Sequence, residues 1–187
     1  MTDVYHIPDS AVETETMRIV REAAQTSLNV GFPVRLIGRP GTGKTCALWH
    51  VARELKGTYC EITAASKNVK GMFEGLLRAI DYASGKNHVS MIADMVYRLY
   101  APVEGFHEDL GTWGPVSRLL VVDEIQTLEA QAFRELLRVQ ERCQLGLVVA
   151  GNEERLAGGK KDAETLAQIE SRILPPRHLS GPSRRDC

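Results

Sequence analysis

Eight consecutive residues, Gly38-Arg39-Pro40-Gly41-Thr42-Gly43-Lys44-Thr45, carry the spacing Gly, four residues, Gly-Lys-Thr. This pattern suits a polyphosphate. Glycines let backbone N–H groups turn inward around a β-phosphate, Lys44 reaches the β and γ oxygens, and the Thr45 hydroxyl is placed to coordinate Mg2+. The residues expected to hold a nucleotide are therefore Gly38, Pro40, Gly41, Thr42, Gly43, Lys44, Thr45 and Cys46. Further along, Leu119-Leu120-Val121-Val122-Asp123-Glu124 runs an apolar strand into adjacent carboxylates. Asp123 is expected to share the Mg2+ with Thr45, and Glu124 to orient and deprotonate a water that attacks the γ-phosphate. An exposed acidic turn fits the same residues in isolation; the glycine-rich loop in the same chain favours catalysis. Val148-Val149-Ala150-Gly151-Asn152 offers an amide at the end of a third strand. Asn152 either positions the attacking water or simply turns the chain. Arg172, in Ile169-Glu170-Ser171-Arg172-Ile173, is either a solvated helix-end cation or an arginine finger for a neighbouring subunit's nucleotide.

The elements that must position these groups follow from hydrophobic period. Ser10 with Glu13 reads as a capping box for a helix over residues 10–29, with Met17, Val20, Ala24 and Leu28 inward. A strand precedes the glycine-rich loop at 33–37, and Cys46 to Leu55 continues it as a helix. Thr58 to Ile62 and Leu145 to Ala150 read as strands; Met72 to Ile80, Ser90 to Tyr100 and Glu129 to Arg142 lie in helices. Pro102 to Pro115, rich in glycine and acids, reads as a mobile loop. The alternation predicts an α/β three-layer sandwich of the P-loop NTPase type. Its sheet is mainly parallel, of four or five strands, with ligands at the strands' carboxyl ends. The core is expected over residues 1–173, with motif regions at 38–45, 119–124, 148–152 and 163–173. Pro175-Pro176 and Ser180-Gly181-Pro182-Ser183 predict a loose tail over 174–187, in which His178-Leu179 is at most the remnant of a strand.

A chain of 187 residues, 43% of them apolar, suits one domain with its own core. The net charge of −1 argues against wholesale coating of nucleic acid, although a balanced total can hide a basic patch. Cys46, Cys60, Cys143 and Cys187 show no paired ligand spacing, and neither do His50, His88 and His107. With no basic-then-apolar leader at the start and no apolar run long enough for a bilayer, a cytoplasmic protein off the membrane is expected.

The four motifs in order resemble the AAA+ ATPases and, within them, the phage Mu B and TniB-like DNA transposition proteins. The likeness is carried by Gly-Arg-Pro-Gly-Thr-Gly-Lys-Thr, Val-Val-Asp-Glu-Ile-Gln, Ala-Gly-Asn-Glu and Glu-Ser-Arg-Ile, spanning residues 38 to 173. It implies ATP and Mg2+ as ligands, ATP hydrolysis, and ATP-dependent homo-oligomers in rings or helical filaments on duplex DNA without sequence preference. It also implies contact with a transposase that the protein activates or targets. Position in such proteins nominates Lys67 and Lys70 for DNA, against the plainer reading of a solvated loop; the charge of the tail's Arg177, Arg184 and Arg185 offers phosphate contact, against the plainer reading of a disordered tail. Tyr5 or Ile7 is placed to touch adenine or merely to pack. A helical lid domain, normal in the family after the finger, reads as absent or truncated, so weaker nucleotide affinity and slower hydrolysis are expected. Two other functions stay open: an AAA+ motor with a secretion-associated or helicase-loading client, and a nonhydrolytic nucleotide-gated adaptor.

Overall fold

In chain order the elements are α1 (Glu15–Val30), β1 (Val34–Gly38), α2 (Lys44–Glu54), β2 (Thr58–Glu61), α3 (Val69–Arg78), α4 (Val89–Leu99), β3 (Val103–His107), β4 (Thr112–Val116), β5 (Leu119–Asp123), α5 (Ala130–Cys143), β6 (Gly146–Gly151), α6 (Ala163–Glu170) and β7 (Leu174–Leu179). The computed structural model describes residues 13–85, 88–107, 112–116, 118–152 and 163–180. Five strands form one parallel sheet in the order β2-β5-β6-β1-β7.

Side chains leave a strand on alternate faces, so an unbroken apolar strand needs a cover on both sides. β5 and β6 show this directly. Leu120, Val122, Leu147 and Val149 pack with Phe73, Leu76, Ile92 and Phe133, which come from α3, α4 and α5. Leu119, Val121, Val148 and Ala150 face the opposite way, onto Val20 and Ala24 of α1 and Leu48 and Val51 of α2. The result is the three-layer α/β sandwich expected from the sequence, with five strands. Among the described residues no helix is long and apolar enough to cross a membrane.

Three expectations about its margins are corrected. Helix α1 begins at Glu15, where Thr14 is the N-cap and its hydroxyl oxygen accepts from Met17 N at 3.2 Å. Ser10, like Tyr5 and Ile7, lies outside the described residues, and Glu13 pairs instead with Arg21 at 2.6 Å. The stretch read as a loop from Pro102 contains an antiparallel hairpin, with Val103 opposite Val116 and His107 opposite Thr112. Gly105 opposite Gly114 and Glu104 opposite Pro115 leave it little apolar alternation to read.

The third correction concerns the tail. Residues 174–179 form β7, parallel to β1, with Leu36 in register with Arg177 and Gly38 with Leu179. Two prolines are tolerated because β7 is an edge strand with one neighbour, and the register slips between Val34 and Leu36. Arg177 is thereby fixed in the sheet and donates to Thr26 Oγ1 at 3.0 Å, while Arg184 and Arg185 lie outside the described residues.

Two glycines of α3 make a matched test of this packing. A Cβ on Gly71 would stand 2.5 Å from the Ala65 carbonyl oxygen and 2.7 Å from Ser66 Cα, whereas one on Gly75 meets nothing nearer than 3.7 Å. Gly71→Ala is expected to cost about 1–3 kcal/mol through overpacking against backbone. Gly75→Ala should add about 0.5–1 kcal/mol as a helix-interior glycine removed. Urea unfolding of the two variants checks the opposite signs.

Candidate functional site

Strand β1 ends at Gly38 and α2 starts at Lys44, so the intervening residues must reverse the chain tightly enough to put a helix N-terminus over the sheet's carboxyl edge. Gly41 (φ +83°) and Gly43 (φ +74°) do this in the left-handed region, which side chains with a Cβ enter only at a cost. Lys44, Thr45 and Cys46 then open the first turn of α2, where backbone N–H groups have no partner inside the helix. A cavity of about 520 Å³ lies over this turn, and Lys44, Thr45, Cys46, Glu61, Glu124 and Asn152 are among its lining residues. Pro40, Gly41, Thr42 and Gly43 line it too, while Gly38 lies below, at the strand end.

The buried carboxylate of Asp123 is the centre of the site. It is wholly shielded from solvent at the end of β5. Thr45 Oγ1 donates to its Oδ2 at 2.7 Å, the Glu124 backbone N–H to its Oδ1 at 2.8 Å, and Lys44 Nζ stands 3.9 Å away. Tyr59 Oη lies 3.4 Å from Oδ2. Burial pushes the Asp123 carboxyl above its ordinary value, with the Thr45 hydroxyl, the Glu124 N–H and Lys44 pulling the other way. A carboxylate held in this state, sharing its oxygen with a hydroxyl, is the hard oxygen set that Mg2+ takes together with phosphate oxygens. The residues therefore fit the ion that the sequence leads one to expect.

Glu124 follows in a left-handed conformation (φ 57°, ψ 37°) and aims Oε1 at Lys44 Nζ, 3.7 Å away. Its other oxygen accepts from Gln126 Nε2. Asn152, just past β6, lines the same cavity, and β6 lies between β1 and β5. The structure thus gathers Lys44, Thr45, Asp123, Glu124 and Asn152 from three parts of the chain.

Arg172 is elsewhere. It sits in the turn before β7, at the opposite end of β1 from the glycine-rich turn, about half exposed, with Nη1 3.2 Å from Glu141 Oε1. Lys67 and Lys70 are also away from the cavity, after β2, each 3.8 Å from a carboxylate oxygen, of Glu129 and Glu74 respectively. Besides Tyr59, two residues at the site were given no role from the sequence. Glu61 ends β2 in register with Asp123, and partial desolvation, then Asp123 and Glu124, push its carboxyl up although it keeps contact with solvent. Only the pairing of β2 with β5 reveals it. Gln126 is the other; the sequence shows it only as the last residue of Val-Val-Asp-Glu-Ile-Gln, with no role of its own.

The AAA domain family matches residues 33–157 of this chain. The chain is 27% identical over 178 residues to the Mu-like prophage FluMu DNA transposition protein B of Haemophilus influenzae, a match that covers 94% of this chain and 58% of that protein. It thus spans little more than half the length of that relative. Among solved structures it is similar to the replication initiator DnaA bound to AMPPCP and single-stranded DNA, with a TM-score of 0.52 at 17% identity over 94% of this chain and 50% of that one. It is also similar to PCH-2 of C. elegans, with a TM-score of 0.50 at 20% identity over 95% of this chain and 45% of that one. At such identities the likeness speaks for the fold. The matched span runs from the residue before β1 to beyond β6 and contains all the residues named above as lining the cavity, so the chain belongs to the AAA domain family, within which its sequence is similar to the Mu B-like DNA transposition proteins.

Proposed function

We propose that this chain binds and hydrolyses ATP, assembles through its nucleotide sites into oligomers on duplex DNA, and in that form activates or targets a transposase. The observation that carries the nucleotide half is the 2.7 Å bond from Thr45 to the buried Asp123, with Lys44 within 4 Å of both Asp123 and Glu124. In this reading Lys44 and the first-turn N–H groups of α2 hold the phosphates, and Thr45 and Asp123 hold Mg2+. Bound there, Mg2+ neutralises charge on the phosphate oxygens. Glu124 takes the proton of the attacking water at its cavity-facing Oε1, while Asn152 orients that water. Arg172, half exposed and far from its own cavity, suits delivery to a neighbouring copy's site. The DNA and transposase half rests on the likeness to a protein named for DNA transposition, and on the exposed Lys67 and Lys70 after β2.

ATP binding and turnover of single variants test these roles. Lys44→Ala should abolish ATP binding, and Glu124→Gln should keep ATP while lowering kcat about 10²- to 10⁴-fold, the scale of a lost general base. Arg172→Ala should leave ATP binding intact and remove only the turnover that rises with protein concentration. An effect independent of concentration would place Arg172 in its own subunit's structure. Duplex binding that needs ATP and weakens steeply with salt is expected, with Lys67→Ala and Lys70→Ala each flattening the log–log slope by about 0.9. Salt-insensitive or absent DNA binding would point to another client.

The crowded carboxylates give a pH test. A carboxyl whose folded-state value lies above its ordinary one favours the fold while protonated, and that contribution is lost as pH rises through the folded-state value. Glu61 is such a group, raised from 4.5 by desolvation and by Asp123 and Glu124. Glu61→Gln should therefore raise the Tm of the nucleotide-free protein more at pH 7 than at pH 4. An equal shift at both pH values would refute the electrostatic cause.

A further inference from the structure

Glu124 has three rotatable side-chain bonds and a backbone in a conformation that non-glycine residues seldom adopt, so something must hold its carboxylate toward the cavity. Part of the restraint is main-chain: Thr127 N donates to Glu124 O at 3.0 Å and Leu128 N to Ile125 O at 3.1 Å, closing the short 3₁₀ turn at Ile125–Thr127. Two side chains add to it, Lys44 on one carboxylate oxygen and Gln126 on the other. Gln126 Nε2 donates to Glu124 Oε2, which leaves Oε1 as the oxygen turned to Lys44. The other end of the same amide, Gln126 Oε1, accepts from the backbone N of Asn152 at 3.4 Å. One planar group therefore spans the carboxylate after β5 and the amide residue after β6.

Gly151 bears on the same point independently. Its φ is not left-handed, so the backbone does not require glycine there. What glycine leaves is space: a Cβ at this position would fall on Gln126 Oε1 and stand 3.1 Å from Ile125 Cγ2. The missing side chain of residue 151 is the room that the Gln126 amide occupies.

We propose that Gln126 is a positioning residue for hydrolysis: its amide fixes the Glu124 carboxylate and the Asn152 main chain relative to each other, so that base and water-orienting group meet the same water. This rests on the hydrolytic reading given above. Gln126 is not among the residues that line the cavity. Its donor end matches an ionised carboxylate and its acceptor end a peptide N–H, so glutamate, which has no N–H to donate and would add a second charge, is a worse replacement than alanine.

The test combines steady-state kinetics, ATP affinity and amide hydrogen exchange on Gln126→Ala, Gln126→Glu, Gly151→Ala and Gln126→Ala/Gly151→Ala. Gln126→Ala is expected to lower kcat roughly 10- to 100-fold, as for a displaced reacting group, with KM and ATP affinity unchanged. Gln126→Glu should be slower still. Gly151→Ala should reproduce the loss by displacing the amide, and the double variant should be no worse than the more impaired single one, since both act on one contact. The Asn152 amide should exchange faster in Gln126→Ala, in Gly151→Ala and in the double variant. Unchanged kcat, an equal loss of ATP affinity, or additive losses in the double variant would overturn the proposal. If Glu124→Gln itself turns over normally, the assignment of the base fails separately, and Asn152 exchange still decides: unchanged protection in Gln126→Ala means that Gln126 does not tie the strand ends.

Discussion

The hydrogen bond from Thr45 to Asp123 joins the start of α2 to the end of β5 across a strand that belongs to neither. Adjacent strands in a sheet lie about 4.8 Å apart. In the order β2-β5-β6-β1-β7, β6 separates β5 from β1, so the helix after β1 must reach over the end of β6 to meet Asp123. That geometry puts Asn152, the residue just past β6, under the reach. The sheet order thus makes one cavity out of three motifs, and a different order with the same motifs would scatter them. A buried carboxylate whose partners are the Thr45 and Tyr59 hydroxyls, a peptide N–H and a lysine 3.9 Å away is costly to keep charged. In the proposed function a divalent cation would supply further compensation.

Support for the glycine-rich turn comes from a segment that the sequence makes look dispensable. Leu179, at the end of β7, is buried against the strand end, where a Cβ on Gly38 would stand 3.1 Å from its own Cβ. Thr16, in the first turn of α1, donates its hydroxyl to the Thr42 carbonyl at 3.2 Å and lies 3.3 Å from the Ser180 carbonyl. The loop is held from below by the ends of two elements far apart in sequence. Its glycines can therefore adopt left-handed conformations without leaving the turn mobile, which a preformed phosphate cradle requires.

Charge at the site is arranged with the same economy. Glu61, Asp123 and Glu124 come from neighbouring strand ends, and Lys44 is the cation set between the last two. Desolvation, then repulsion from Asp123 and Glu124, pushes Glu61 upward, and burial pushes Asp123 upward. Arg172 stays outside this balance, paired with Glu141 at the other end of β1. An arginine in that position adds nothing to its own cavity. It bears on catalysis only if a second copy presents a nucleotide to it, and so activity and assembly are linked in the proposed function.

The glycine-rich turn, the apolar strand ending in Asp123-Glu124 and the Gly-Asn strand end were legible because each is local: glycine torsions, unbroken hydrophobicity and carboxylate spacing are properties of a few consecutive residues. Helices α3 to α5 were legible for the same reason, through their 3.6-residue period. The hairpin β3–β4 was not, since its pairing joins segments whose glycines and proline carry no period of their own. Nor was β7, where two prolines mimic a loop until an edge position excuses their missing N–H groups. Glu61 and Gln126 became site residues only through neighbours on other strands, by register with Asp123 and by a bridge to Asn152. The amino-acid sequence by itself determined which chemistry this chain carries, because that chemistry is written in short-range residue types. Tertiary structure alone decided which groups share one cavity and which face away, because strand order is set by how distant apolar faces bury one another.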